Sequence, residues 1–255
     1  MIKKLALGIV SLGLMATAAF AATPGTDNAG NYGSGWTNGT NGGTGFGAWD
    51  LTNNNNDGTT TFAGYFIGDS TAGSGNINNP PNDSFGVYAN PTNAFADADR
   101  SFDSALTAGQ TFSLDLAVNF RNGNKGFNLY TGGVGGTQVF NFNVGGDLYS
   151  INGTDTGLAY DSMSVFNLSF TQTTLAGGTY SVTRGSSTFT GTYTGDADSF
   201  KLYNSGTNGD GDGAADNLYF NNLSISAVPE PGTIISFLSG SSLLGAMMFI
   251  RRRRA

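Results

Sequence analysis

The 255-residue chain has no cysteine and no histidine, and it contains a single glutamate. Because there is no cysteine, no disulfide can stabilise the fold, and its stability must come from burial. The absence of both residue types excludes a Ser-His-Asp triad, a thiol nucleophile and a zinc site with nitrogen or sulfur ligands. A glycosidase that uses two glutamates is excluded as well. An enzyme built on this chain would have to use aspartates, or lysine with serine.

Lysine and arginine are scarce between the two ends of the chain. Six of the 11 lie at positions 3–4 and 251–254, which leaves five positive charges against 17 aspartates, a net charge near −12. A surface this acidic repels phosphate, so we expect no nucleic-acid partner and a preference for cations. The 19 Phe and 10 Tyr nevertheless require a core, which argues against disorder.

The N-terminus is typical of a secretory signal peptide. Lys3 and Lys4 precede an apolar stretch at 5–15, and small residues lead to Ala19-Phe20-Ala21. A basic start, a short apolar middle and an A-x-A site predict cleavage after Ala21, so residues 1–21 form the signal peptide. The alternative is an uncleaved anchor. We expect the protein to be exported across the inner membrane.

The C-terminus has the pattern of a membrane anchor. Residues 232–250 are 19 residues without a charge, and at about 1.5 Å per residue a helix of this length crosses the roughly 30 Å hydrocarbon layer. The basic tail 251–255 follows, and the positive-inside bias keeps it in the cytoplasm. The stop-transfer residues are Arg251, Arg252, Arg253 and Arg254. A buried core helix is the alternative.

Segment 228–255 resembles the PEP-CTERM sorting domain of Gram-negative bacteria. The resemblance rests on Pro229, Glu230 and Pro231, on the apolar span after them and on the terminal arginines. It implies that an exosortase-like membrane enzyme reads the Pro-Glu-Pro motif while the span anchors the protein transiently in the inner membrane. It also implies a place on the cell surface or in a biofilm matrix with exopolysaccharide. The alternative is an ordinary anchor with a chance motif.

The residues between the two ends predict one all-β domain. After a Gly/Asn-rich leader at 22–45, residues 46–227 alternate apolar and polar positions between turn residues, most clearly at 111–120. Only 93–100 shows weak helical spacing. We therefore expect a single antiparallel β-sandwich. Residues 216–225 resemble the closing strand of lectin-like jelly rolls of the concanavalin type, which implies that fold.

Asp210, Asp212 and Asp216 lie in a Gly-rich turn that suits Ca²⁺. The EF-hand pattern is incomplete, because Ala214 holds its fifth position and no glutamate closes the loop. A plain acidic hairpin loop is the alternative to a structural calcium site.

Carbohydrate binding needs flat aromatic rings near hydrogen-bonding side chains. Four aromatic residues have Asp50, Asp69 and Asn90 near them in the sequence. They are Trp36, Trp49, Tyr65 and Tyr88. The alternative is that these rings belong to the core, and Trp49 in particular has the surroundings of a core residue.

Two aspartate pairs, 97 with 99 and 196 with 198, are spaced to share a strand face. Solvated or capping roles are more usual for such pairs, and Arg100 is expected to balance the charge of the first. We predict no catalytic residue and no enzyme. The expected function is that of a structural or adhesive surface protein, the alternative is a lectin-like exopolysaccharide-binding module, and an Asp-dependent hydrolase is a distant third.

Overall fold

The computed structural model describes residues 24–33, 35–54, 62–90, 93–207 and 217–226. The predicted signal peptide, the candidate calcium residues at 210–216 and the sorting segment 228–255 lie outside these ranges. None of the helical structure within the described ranges has the length and apolar character needed to cross a bilayer.

Strands dominate the described residues, with one short 3-10 helix at Ala29–Asn31. The fifteen strands are β1 (Gly25–Asp27), β2 (Phe46–Asn53), β3 (Phe62–Gly68), β4 (Ser84–Asn90), β5 (Phe95–Phe102), β6 (Thr111–Val118), β7 (Asn124–Thr131), β8 (Thr137–Asn143), β9 (Leu148–Ile151), β10 (Thr154–Ala159), β11 (Val165–Thr174), β12 (Gly177–Arg184), β13 (Ser187–Thr194), β14 (Ser199–Ser205) and β15 (Leu218–Ile225).

The strands form two antiparallel sheets, which confirms the predicted all-β sandwich. Sheet A has the order β13-β12-β11-β6-β15-β4-β3, and β1 also pairs with β15. Sheet B has the order β10-β9-β8-β7-β14-β5-β2. Six of the thirteen strand pairs among the described residues join consecutive strands, and the other seven join strands that are distant in sequence, where the pairing register decides which side chains meet.

The core lies between the sheets and is rich in phenylalanine. Phe112 of sheet A stacks on Phe200 of sheet B at 4.9 Å between ring centroids, and Phe127 stacks on Phe170 at 5.1 Å. Such pairs add about 0.5–1.5 kcal/mol each to the free energy gained by burial. This aromatic packing provides the cohesion that a chain without disulfides needs.

Strand β6 shows both the success and the limit of the alternation pattern. The side chains of Phe112, Leu114, Leu116 and Val118 are fully buried, as predicted. Ala117, on the other face, is also buried, because Ile77 and Tyr219 form a small second cluster with it outside sheet A.

Asp27 and Trp36, which lie within the predicted leader 22–45, are buried in the sandwich. Asp27 of β1 forms an ion pair with Arg100 of β5, and both side chains are fully buried. Arg100 also donates to the Gly47 carbonyl at 2.8 Å and lies 4.5 Å from the centroid of the Trp49 ring. Our expectation that Arg100 balances the neighbouring aspartates is wrong, because alternation along β5 turns its side chain to the core.

The weak helical spacing at 93–100 was also misleading. These residues run into β5, which pairs with β14 on one side and β2 on the other. Ala96 and Ala98 face inward together with Arg100. The inward positions from 96 to 100 thus hold no large apolar side chain, which is why the strand alternation was not recognised.

Candidate functional site

The strongest cluster of functional side chains lies on the outer face of sheet B. Four adjacent strands, β5, β14, β7 and β8, place alternate polar residues there. Lys201 lies opposite Asp99 on one side and Asn128 on the other, and Asn128 lies opposite Asn141. We call this set the polar face. Its members are Asp97, Asp99, Asn128, Tyr130, Asn141, Lys201 and Tyr203.

An ion-paired group forms one half of the polar face. The Lys201 ammonium lies 2.7 Å from Asp97 Oδ2 and 3.6 Å from Asp99 Oδ2. Asp99 is only 4 % exposed, and its Oδ1 is buried without a hydrogen-bond partner. Buried polar atoms are nearly always satisfied, so an unpaired and inaccessible carboxylate oxygen indicates a place for a proton.

Burial controls the protonation of this group. Desolvation raises the pKa of Asp99 to about 7, against the opposing attraction of Lys201. Burial tends to lower the pKa of Lys201, but the hydrogen bond to Asp97 and the charge of Asp99 outweigh it, so this pKa is raised. Near neutral pH, Lys201 is therefore a cation and Asp99 exchanges between acid and carboxylate.

A chain of amides and phenols forms the other half of the polar face. The Asn141 amide donates to Asn128 Oδ1 at 2.8 Å and to the Tyr203 hydroxyl at 2.9 Å. The Asn128 amide donates to the Tyr130 hydroxyl at 3.1 Å. Burial raises the pKa of Tyr203 to about 12. The phenols hence remain protonated, and their hydrogens are available to an acceptor.

Only one of the two aspartate pairs identified in the sequence belongs to the polar face. Asp97 and Asp99 do share one strand face, as their spacing predicted. Asp198 instead accepts hydrogen bonds from the backbone of Gly132 at 2.8 Å and Gly133 at 3.0 Å, and Asp196 accepts from Thr131 Oγ1 at 2.8 Å. The second pair therefore anchors a turn.

Three of the four aromatic residues proposed for carbohydrate meet inside the sandwich, where the ring centroid of Trp36 lies 5.5 Å from that of Trp49 and 5.7 Å from that of Tyr65. Trp36 and Trp49 are 5 % and 1 % exposed and pack on Phe85, so neither ring is open to a sugar, and the expectation for these two is wrong. The Tyr65 hydroxyl is used within the sandwich, where it bonds to the Thr52 carbonyl and, at 3.0 Å, to the Asp97 carbonyl.

Tyr88 is half-buried beside Phe66 on the outer face of sheet A, at 6.1 Å between ring centroids. Among the described residues, no group of three or more acidic side chains is arranged to hold a metal ion.

Sequence reasoning missed most of the polar face. Lys201, Asn128, Asn141, Tyr130 and Tyr203 are outward positions of alternating strands, which a pattern assigns to solvent. The sequence carried one signal that could have identified them. The outward-facing positions of these strands hold amide and phenol side chains and one of the few lysines.

No protein-family model matches the chain, and no curated protein matches it. Among solved structures, a chain from the study "Cell entry of botulinum neurotoxin type C is dependent upon interaction with two ganglioside molecules" matches at 10 % identity and a TM-score of 0.36, over 70 % of this chain and 46 % of that one. The protein thus spans about half the length of that neurotoxin chain.

Two further structures match at similar levels. The family 11 carbohydrate-binding module of a cellulosomal cellulase of Clostridium thermocellum matches at 8 % identity and a TM-score of 0.31, over 71 % of this chain and 88 % of that one. The family 7 alginate lyase A1-II′ matches at 13 % identity and 0.30, over 81 % and 93 %. Likenesses this low carry no argument about function.

Proposed function

We propose that the chain is an exported, adhesive protein of the cell surface or extracellular matrix, and that its sandwich binds exopolysaccharide at the polar face. The observation that supports this is the outward-facing cluster of one ammonium, two phenols and two amides, joined by hydrogen bonds across adjacent strands. In this proposal the sandwich is a jelly roll of the concanavalin type.

The chemistry of the polar face suits hydroxyl groups. A sugar hydroxyl both donates and accepts, and the face offers a cationic donor in Lys201, phenol donors in Tyr130 and Tyr203, and an acceptor in the partly exposed Asp97. Because the domain is strongly acidic, it repels anionic chains. The preferred ligand is therefore a neutral polysaccharide.

The binding proposal is tested on an array of neutral and acidic glycans, with and without Ca²⁺. Lys201→Met and Tyr203→Phe each remove one hydrogen-bonding group, and losing such a bond weakens binding about tenfold. Thr179→Ala, on the exposed face of sheet A, is the matched control and should bind as the wild type. Binding that is equal in all four proteins would refute the site, and a requirement for Ca²⁺ would support the predicted loop at 210–216.

An Asp-dependent hydrolase is the second candidate, because a carboxyl with a pKa of about 7 is suited to general-acid work. Incubating the same glycans with the protein distinguishes the two. Release of oligosaccharides by the wild type, lost in Asp99→Asn, would replace the binding proposal with catalysis.

We extend the proposal to the ends of the chain. After removal of residues 1–21, an exosortase-like enzyme reads Pro229, Glu230 and Pro231 while residues 232–250 hold the chain in the inner membrane. Intact mass of the exported protein from cells with and without the sorting enzyme tests this. A mature form that still carries residues 232–255, unchanged by Glu230→Ala, would refute the sorting role.

A further inference from the structure

The outer edge of β13 is unusually open for pairing. Sheet A ends at this strand, and within the described ranges no strand pairs with its outer side. All eight residues pair with β12 without a shift of register, and none of them is charged or a proline. An open cleft of about 550 Å³, whose lining includes Thr188, Phe189 and Thr190, leaves this edge accessible.

The two edges of sheet B carry protection that β13 lacks. The edge of β2 is covered by residues 38–40, because the Trp49 backbone donates to the Thr40 carbonyl at 3.0 Å and accepts from Gly39 at 2.8 Å. Strand β10 has a charged residue, Asp155, followed by an irregular register. Charges, bulges and covering loops are the usual means of preventing edge-to-edge association, so their absence from β13 is notable.

The hairpin geometry indicates which groups of β13 are open. A two-residue turn at Gly185-Ser186 joins β12 to β13, and Arg184 and Ser187 close it. The closing pair of such a turn is hydrogen-bonded, and bonding alternates from there along an antiparallel ladder. Alternate residues beginning at Ser187 thus bond to β12. The other set directs its backbone groups outward: Thr188, Thr190, Thr192 and Thr194.

We propose that two copies of this chain pair antiparallel through β13, with the two-fold axis at Gly191. In that register Thr190 lies opposite Thr192 of the other copy, Thr188 lies opposite Thr194, and Phe189 lies opposite Tyr193. The edge is therefore self-complementary, and no like charges meet. Since a two-fold contact uses the same edge of both copies, association stops at a dimer.

The β13 edge belongs to sheet A and the polar face to sheet B, so dimerisation does not require glycan binding. A dimer carries two polar faces, and two linked sites bind a repeating polymer more tightly than one site does.

The test measures the oligomeric state of the full chain in detergent by sedimentation. We expect the wild type to be a dimer. Thr190→Lys with Thr192→Lys, and Thr190→Asp with Thr192→Asp, place like charges opposite one another, and each double variant should associate more than about tenfold more weakly. Both positions are exposed. An equimolar mixture of the two variants should dimerise again, because lysine then lies opposite aspartate.

The control is Thr179→Lys with Ser181→Lys, on the same face but in the interior strand β12, which should leave the dimer intact. Recovery in the mixture also shows that both edge variants are folded. A monomeric wild type, a dimer that persists in the lysine edge variant, or variants that fail to recombine would each overturn the proposal.

Discussion

Replacing Asp99 with asparagine should remove a pH dependence of stability that the polar face imposes on the whole sandwich. The pKa of Asp99 is raised from an ordinary value of 3.8 to about 7, chiefly by burial. The folded protein thus binds a proton between these values that the unfolded chain does not bind. Its contribution is fully present below pH 3.8 and is lost as the pH rises through 7.

The size of the effect follows from the same pKa values. Between pH 8 and pH 5, a carboxyl that titrates near 7 in the folded state adds on the order of 3 kcal/mol to the free energy of unfolding. Asparagine resembles the neutral acid in shape and cannot ionise. Asp99→Asn should therefore be more stable than the wild type by about 4 kcal/mol at pH 8 and by less than about 2 kcal/mol at pH 5, and the two proteins should become equal only below pH 3.8.

Urea unfolding, followed by tryptophan fluorescence between pH 5 and 8, measures this directly, because both tryptophans are buried in the core. Asp50→Asn is the matched control, since Asp50 lies opposite Asp99 in the pairing of β2 with β5 but is exposed. The control should keep most of the pH dependence of the wild type, because burial and not the charge of Asp50 is the main cause of the raised pKa of Asp99. A wild type whose stability is flat or rises with pH, or an Asp99→Asn variant with the same slope, would refute the reasoning.

Three further predictions concern buried packing inside the sandwich and on the outer face of sheet A. Asp27→Asn leaves the charge of Arg100 buried without its partner, which should lower the free energy of unfolding by about 3–5 kcal/mol in chemical denaturation. Trp36→Ala should cost about 3–5 kcal/mol because it leaves a cavity, while the glycan affinity of the folded protein stays unchanged in titration. Gly86→Ala puts a methyl group 2.2 Å from the Phe66 ring, and the resulting overpacking should lower the stability to thermal unfolding by about 1–3 kcal/mol.

The sandwich itself was predictable from the sequence because alternation reports burial one strand at a time. Strand β6 shows this, since a single face of Phe, Leu and Val residues is enough to identify it. Alternation of apolar and polar residues did not reveal the inward face of β5, because alanines occupy inward positions and a buried arginine lies among aromatic rings.

The polar face was only half predictable. The shared face of Asp97 and Asp99 follows from a spacing of two, but their meeting with Lys201 depends on the pairing of β5 with β14. Nothing in a single sequence gives that register, because the two strands are about a hundred residues apart. The same limit applies to Trp36, whose burial depends on contacts with β4 and β15.

The position of β15 has a mechanical consequence. This strand lies inside sheet A, bonded to β6 on one side and to β4 and β1 on the other, and the chain continues from it at Ser226. A pull along the strand from that point runs perpendicular to the hydrogen bonds, so many of them carry the load together instead of opening one after another. If residues 227–255 tether the protein to the envelope, the drag on a bound polymer would strain the sandwich in shear, the direction in which a sheet resists most.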